Sequence, residues 1–568
     1  MPGTQQREKR EVFIFAAGLL LAVLTICVLF YPHTQEDAYI TFRYSQHLAQ
    51  GFGVGAWNLT TEPVEGYTPA LWMFGLGAGA AIGLRIETLA KLVGIAAQLG
   101  LCGLLVFFPW IRNSTRASAD ALHGGDRDVF LIAALSIGLY LPACFYATSG
   151  MEATSFAFLV GLALLVPICS ENALVIGLIF AALVSMRPEG ALIGGIFALL
   201  HALLARIGGR PIGASVGAFV GLIGAFAALT AFRLAWFGEL VPNTYFAKTF
   251  GGSELLPRLG LVYLSDWATH HLSWAVLLAA TAAGLVVSIR RRGITENLAM
   301  VSVLVLAGVY VFYVYRVGGD NPTAFPWWRQ LLHLGPAFAL IVGFGICTLT
   351  RNRPARFALA AIAIVSTNYQ VLGAHHGKMS ELVSESLASF PSLNHAPRNA
   401  FYVWLSEISD SQTVIASAAA GELPFVVDAI HIDMLGLNDR EIAHRGRFDP
   451  DGPIDSKSDI DSVMRRRPDI IQSTLRSRRF EQVSPRGNRI LHRGEMEAAL
   501  LNHPSFVAEY LFVRNAPYEA HDRALFLRRD YWANHPRRDL MDCIPVLQTA
   551  IYPPRSISPS AIRESARQ

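Results

Sequence analysis

The sequence predicts a polytopic α-helical membrane protein with about eleven transmembrane helices and a C-terminal soluble α/β domain. Two observations carry the prediction. Long uncharged apolar runs recur through the first two thirds of a 568-residue chain that is 52% hydrophobic and charged at only 16% of its positions. Near residue 374 the texture changes, and apolar residues then come in short runs punctuated by Gly and Pro. The net charge of +4 is small and gives no footing for a nucleic-acid partner.

The first run, Val12 to Tyr31, is free of charge and as long as a bilayer crossing requires. Basic residues precede it, as in a signal peptide, but it is longer than a signal core and lacks a small-residue cleavage site, so it reads as an anchor. Further spans are expected at about 90–110, 129–147, 153–169, 174–186, 190–205, 213–236, 273–289, 298–315, 329–349 and 355–373. Thr68 to Gly83 is apolar but short and glycine-rich, and reads as a helix lying along the outer surface. Basic loops then fall on one side: QQREKRE, Arg112 to Arg127, RIGGR, RRR and RNRPAR. The positive-inside rule makes that side cytoplasmic, with the N-terminus, and places the C-terminal domain outside the inner (plasma) membrane.

These spans define a membrane domain over 1–373, with an outer loop at 32–89. Beyond it, TVIAS (413–417), PDIIQ (468–472), RILH (489–492), AEYLFV (508–513) and ALFLRR (524–529) read as strands of an α/β domain over 374–553. The Ser-, Pro- and Arg-rich stretch 554–568 reads as a disordered tail. Five of the six cysteines lie in or beside apolar runs and Cys543 lies in the C-terminal domain, so no disulfide within that domain and no zinc spacing is expected.

The polar residues gather in the loops of the outer side. Glu36 and Asp37 sit just past the first span, with Arg43 six residues after Asp37, on roughly the helical face of Glu36. Such a pair is often a solvated collar. Beside an arginine, however, one acid can be neutralised while the other serves as a base. SGMEATS adds Glu152, a residue the helix dipole favours in any case. Acids from two loops could share a hydroxyl-bearing substrate or a divalent metal held by Glu36, Asp37 and Glu152, an ion the sequence does not require. MRPEG offers Arg187 and Glu189, which could equally pair with each other in a plain hairpin. GELVPNTYFAK offers Asn243 and Lys248, and VGGDNPTAFPWWR offers Asp320 and Arg329. Lys248 and Arg329 could neutralise a lipid phosphate or simply snorkel to the headgroups. Trp327 and Trp328 read as interface anchors, and the sequon NLT at 58–60 as a chance match.

Taken in order, these segments resemble a family. EDAYITFRYSQHLAQGFG followed by VEGYTPALW is similar to the first outer loop of the GT-C glycosyltransferases, in the branch of the mycobacterial-type arabinofuranosyltransferases. SGMEATS, RPEG, FGELVPNTYFAK and VGGDNPTAFPWWR resemble further motifs of that branch, as does AGELPFVVDAIHIDMLGLNDREIAH (420–444). Met151 departs from the usual Leu, Glu36 from the usual Asp, and the segment between the GGD motif and Arg329 is longer than usual.

The resemblance implies the GT-C fold, a polyprenyl-phosphate sugar as donor, a glycan or lipid-linked acceptor, and inverting chemistry at the outer membrane face. Asp37 would be the base, with Glu36 and Glu152 orienting the acceptor or a metal. Arg43, Arg187, Lys248 and Arg329 would serve the phosphate, with Tyr67, Glu189, Asn243 and Asp320 lining the substrate site. Arabinofuranose is the sugar the branch points to; another pentose or a hexose stays open. A transporter or flippase of lipid-linked sugars is the competing class, disfavoured because transporters keep ionisable groups near the bilayer midplane. An inactive scaffold that binds glycan through its C-terminal domain is the third.

Overall fold

The structure, a computed structural model, describes residues 2–115, 124–207, 209, 211–248, 255–292, 297–320, 327–389, 400–448, 457–476, 495–517 and 523–546. It divides into two units. The first comprises Met1–Trp57, Glu65–Pro242 and Gly251–Pro397; the second comprises Asn58–Val64, Asn243–Phe250 and Arg398–Gln568.

Every regular element described in the first unit is a helix. In chain order they are α1 (Pro2–Phe30), α2 (Ala38–Ala49), α3 (Ala70–Ala81), α4 (Ile86–Thr115), α5 (Gly124–Gly138), α6 (Leu141–Thr148), α7 (Ala153–Cys169), α8 (Ala173–Met186), α9 (Glu189–Ile207) and α10 (Gly213–Phe237). After α11 (Asn243–Lys248), which belongs to the second unit, come α12 (Leu255–His270), α13 (Leu272–Arg292), α14 (Leu298–Val317), α15 (Arg329–Leu332), α16 (Gly335–Leu349) and α17 (Arg353–Ser389). Large apolar side chains such as Leu21, Leu178, Val220, Ile223 and Phe312 face outward. A water-soluble protein rarely exposes so much apolar surface, whereas lipid solvates it. The chain is an integral membrane protein.

Among the described residues, six helices are by themselves long and apolar enough to cross a membrane, or eight if each of two bent pairs is one span. Helix occupies all eleven expected positions, but three differ from expectation. The run at 129–147 is two helices bent by 59°, because Pro142 starts a new helix and cannot donate into the previous turn. The run at 273–289 is preceded by α12, bent from it by 95°; periodicity does not find α12 because Arg258, Asp266 and His270 interrupt its apolar pattern. The run at 329–349 is broken at His333 and Leu334, leaving only α16 as its apolar part.

Small residues set the closest helix contacts. A Cβ on Gly217 would stand 2.2 Å from the Ala173 carbonyl oxygen, and one on Gly221 2.0 Å from that of Gly177. Gly217 and Gly221 in α10 thus face Ala173 and Gly177 in α8, a pair of small-xxx-small faces that lets the backbones touch.

The second unit begins later than the expected residue 374, because α17 continues unbroken through its polar half to Ser389. After α18 (Ala400–Glu407) it alternates β1 (Val414–Ser417), α19 (Glu422–Val426), β2 (Ile430–Asp433), α20 (Arg440–Arg445), β3 (Arg447–Phe448), β4 (Lys457–Ser458), α21 (Ile460–Arg465) and β5 (Ile470–Arg476). It closes with α22 (Glu495–Asn502), α23 (Pro504–Glu509), β6 (Tyr510–Val513), β7 (Arg523–Arg528), α24 (Arg529–Asn534) and β8 (Cys543–Pro545). The six-stranded sheet has the order β2-β1-β5-β7-β6-β8, parallel across its first three strands and antiparallel beyond. Ile471, Phe512 and Phe526 fill one face; Ile470, Val513 and Leu527 fill the other. Burial on both faces explains why these strands read as continuous apolar runs. The expected strand at 489–492 and the tail 554–568 lie outside the described residues.

Two segments from the membrane half of the sequence are sewn into this unit. The Asn58 carboxamide donates to the His431 carbonyl and accepts from its amide, both at 2.9 Å. The Asn243 carboxamide donates to the carbonyls of Gly436 (2.8 Å) and Leu437 (2.9 Å). The asparagine of the NLT sequon is therefore a buried structural residue.

Candidate active site

The site is built from loops between helices of the first unit. Lys91, buried in α4, donates from its Nζ to the carbonyls of Tyr31 (2.5 Å) and His33 (3.0 Å), just past the end of α1. Two residues further on, the Gln35 amide donates to the Ser149 carbonyl at 2.9 Å, tying the Glu36–Asp37 loop to the SGME turn. Gly150 makes that turn possible with φ +84°; a Cβ there would also meet the Phe42 ring at 2.7 Å. Asp37 occupies the N-cap of α2, with its side chain half exposed. Glu36 is exposed beside it.

Glu152, at the N-cap of α7, Arg187, at the C-cap of α8, and Glu189, opening α9, meet in the interior. Arg187 donates to Glu152 Oε1, and in bidentate fashion to Glu189 through Nη2 (2.9 Å) and Nε (3.2 Å). All three residues are buried. Burial works against the charge of Arg187, but Glu189 and Glu152 more than compensate and raise its pKa above the ordinary arginine range. The hairpin pairing of Arg187 with Glu189 is thus present, with Glu152 as a third member.

Arg329 forms the second knot. Its Nη2 donates to Asp320 Oδ1 at 2.9 Å and its Nε to Asp320 Oδ2 at 3.3 Å, the fork geometry that favours Arg over Lys. Nη1 lies 3.5 Å from Asp37 Oδ2 and 3.2 Å from the Met151 sulfur. Desolvation opposes its charge, yet Asp320 and Asp37 hold its pKa well above the usual value. The structure therefore joins Asp37, Arg329 and Asp320, and separately Glu152, Arg187 and Glu189.

Other candidates are placed differently. Arg43 is not the arginine against Asp37: it is buried, donates through Nε to the Trp57 carbonyl at 2.9 Å and stacks on that indole. Tyr67 is a core residue, 4.9 Å ring to ring from Tyr44. Asn243 is spent on the second unit, as described above. Lys248 is exposed at the end of α11 in that same unit. Among the described residues no group of three or more His, Cys, Asp or Glu is arranged to hold a metal ion, and this includes Glu36, Asp37 and Glu152, which the sequence offered only as one option. Trp327 and Trp328, expected as interface anchors, are 1% and 2% exposed.

Sequence reasoning also misses Glu65 of the VEGY motif. It forms a buried ion pair with Arg233 of α10, whose Nε–H is shared between the two carboxylate oxygens at 3.0 and 2.8 Å. Burial pushes the Glu65 carboxyl up, against the pull of Arg233. An arginine inside an apolar run is the available signal.

A terminal β-(1→2)-arabinofuranosyltransferase of Mycobacterium tuberculosis is 27% identical over 369 residues, 58% of this chain and 56% of that protein. One of Corynebacterium glutamicum is 31% identical over 342 residues, 54% of this chain and 47% of that protein. The crystal structure of ArnT from Cupriavidus metallidurans bound to undecaprenyl phosphate superposes with a TM-score of 0.51 at 11% identity, covering 91% of this chain and 97% of that one. The chain has the GT-C fold of ArnT. It is similar to those arabinofuranosyltransferases over part of its sequence, and it spans about half the length of the curated relatives it matches. A family model described as a domain of unknown function (DUF8728) matches residues 393–529, all but the first five of them in the second unit.

Proposed function

We propose that the protein is a membrane glycosyltransferase that moves arabinofuranose from a polyprenyl-phosphate donor to a hydroxyl of a cell-envelope glycan or lipid-linked acceptor. The reaction takes place at the extracytoplasmic face of the inner membrane, with the N-terminus in the cytoplasm and with inversion at the anomeric carbon. One observation carries the mechanism: the half-exposed Asp37 carboxylate stands 3.5 Å from the largely buried Arg329 guanidinium. The names of the curated relatives support the sugar, and the undecaprenyl phosphate bound to ArnT supports the lipid carrier.

The acceptor oxygen attacks the anomeric carbon and its proton passes to Asp37. The bond from that carbon to the phosphate oxygen breaks, and polyprenyl phosphate leaves with one more negative charge. Arg329 faces both events. As Asp37 takes the proton it ceases to be an anion, and the guanidinium becomes available to the phosphate as its charge grows. Glu36, exposed on the same loop, orients the acceptor. Arg187, fixed by Glu152 and Glu189, adds a second cation on the donor side.

Purified wild type and Asp37→Asn, with a panel of labelled polyprenyl-phosphate sugars and a short glycan acceptor, test this. Wild type is expected to release polyprenyl phosphate and extend the glycan. The folded variant should lose roughly 100-fold or more of that rate, the usual contribution of a general base. Full activity in Asp37→Asn would overturn the role of Asp37, and no turnover by folded wild type with any donor would overturn the function.

A further inference from the structure

Arg329 is aimed by a backbone conformation that its neighbour would not adopt unaided. Trp328 has φ 57° and ψ 45°, the left-handed region, which crowds Cβ against the following carbonyl and makes a bulky residue there an outlier. Such a residue persists only where its surroundings over-determine it, and these residues gather at functional sites. Here the surroundings are explicit. The indole Nε1 donates to Asp266 Oδ2 at 2.9 Å, and Asp266 Oδ1 lies 3.3 Å from His270 Nδ1. The rings of His271 and His270 pack on the indole at 4.6 and 5.5 Å. The Trp328 carbonyl accepts from the amides of Leu331 (2.9 Å) and Leu332 (3.1 Å), starting the short α15 whose first residue is Arg329.

We propose that Asp266 and Trp328 form a lock that positions Arg329 between Asp37 and Asp320. Asp266, on α12, holds the indole; the indole holds the left-handed backbone; that backbone sets the direction of the next side chain. Both are positioning residues that act through Arg329. The proposal rests on the reading of Arg329 as the cation for the donor phosphate, but the lock itself is geometry and is testable without turnover.

Trp328→Phe keeps a ring and removes the N–H donor, Asp266→Ala removes the acceptor, and Asp266→Asn keeps an acceptor oxygen without the charge. Turnover of a polyprenyl-phosphate sugar at saturating donor and melting temperature in detergent are measured for each, and for Arg329→Lys alone and combined with Trp328→Phe. Expected are losses in kcat on the order of tenfold to 100-fold for Trp328→Phe and Asp266→Ala, as for a small misplacement of a catalytic group. Asp266→Asn is expected to retain most of the rate. The double variant is expected to be no slower than Arg329→Lys alone. Full kcat in Trp328→Phe, or losses that multiply in the double variant, would overturn the lock. An electron cryo-microscopy structure of Asp266→Ala tests the lock separately, even if wild type turns over no donor and the function itself falls. Arg329 withdrawn from Asp37 and Asp320 supports the lock, and Arg329 unmoved refutes it.

Discussion

Arg329→Lys removes one specific feature, the fork that lets a single cation serve two acids. The bidentate contact with Asp320 spans 2.9 and 3.3 Å, and Asp37 is a further 3.5 Å away on the other amino group. A lysine ammonium is a compact point charge that keeps Asp320 or Asp37 but not both. A single charge–charge contact at the 3.5 Å that Arg329 holds to Asp37, and would hold to the leaving phosphate, is worth about 5 kcal/mol at an effective dielectric near 20, and about 1 kcal/mol at that of water. Asp37 is 50% exposed, which draws the value toward the lower bound. A working figure of about 2 kcal/mol predicts a kcat roughly 30-fold below wild type. The assay is release of polyprenyl phosphate under single-turnover conditions, with donor binding measured separately. In the proposed mechanism the handover from Asp37 to phosphate would occur only during bond cleavage, so kcat should fall more than donor affinity does. A kcat within twofold of wild type, or a loss confined to donor affinity, would refute the handover.

Three further outcomes follow from the packing and the electrostatics. Glu65→Ala leaves Arg233 buried without its carboxylate partner and is expected to destabilise the protein by about 3–5 kcal/mol; an unchanged melting temperature in detergent would contradict this. Gly221→Leu forces a Cβ to 2.0 Å from the Gly177 carbonyl oxygen, so α8 and α10 must separate and monodisperse yield should collapse, whereas Gly224→Leu, with nothing within 4 Å of its Cβ, should be tolerated. Burial raises the carboxyl of Asp433 to about 6, despite hydrogen bonds from Leu435 and Asn438. Because the folded form binds that proton more tightly than the unfolded form, its stabilising contribution is greatest below pH 4 and is lost as pH rises to about 6, a change on the order of 3 kcal/mol. Hydrogen-exchange protection at 430–438, relative to the intrinsic exchange rate at each pH, should fall across that window in wild type, and Asp433→Ala should abolish that slope.

What is legible in the sequence is whatever a short stretch carries by itself. The acids of EDAY, SGME and RPEG, the basic loops and most helices and strands are readable because charge, length and period are local properties. Partners are not. Spacing points Arg43 at the acid pair because it is six residues from Asp37, yet the fold brings in Arg329 from the other end of the membrane unit. Trp327 and Trp328 read as anchors because the aromatic-belt rule scores residue type near a span and is blind to burial. The boundary at 374 marks where α17 turns polar, but a helix needs only its own backbone hydrogen bonds to continue to Ser389. Asn58 and Asn243 look like a chance sequon and a substrate ligand; their amides instead pair with the backbone near His431 and Gly436. A planar amide that can donate and accept at once suits such a tether, but nothing local names its partner.

The charge count of the site constrains the mechanism more tightly than any single contact. Arg187 and Arg329 face Glu152, Glu189, Asp37 and Asp320, two cations against four carboxylates. An anionic donor entering such a site would be repelled if all four carboxylates counted equally. They do not: Glu152 and Glu189 are buried and committed to Arg187, and Asp320 to Arg329, whereas Asp37 is exposed and holds Arg329 by the longest of these contacts. The committed acids fix the two guanidinium groups in place and keep them charged in a poorly solvated interior. Asp37 alone can exchange its share of Arg329 for a phosphate oxygen without exposing a buried charge. In the proposed reaction, proton transfer to Asp37 would make that exchange favourable at the moment the leaving group needs it, which would tie the identity of the base to the identity of the cation. Replacing Asp37 with Asn should therefore tighten binding of polyprenyl phosphate while it removes turnover. Weaker binding of the lipid phosphate by that variant would show that the two roles are not linked through Arg329.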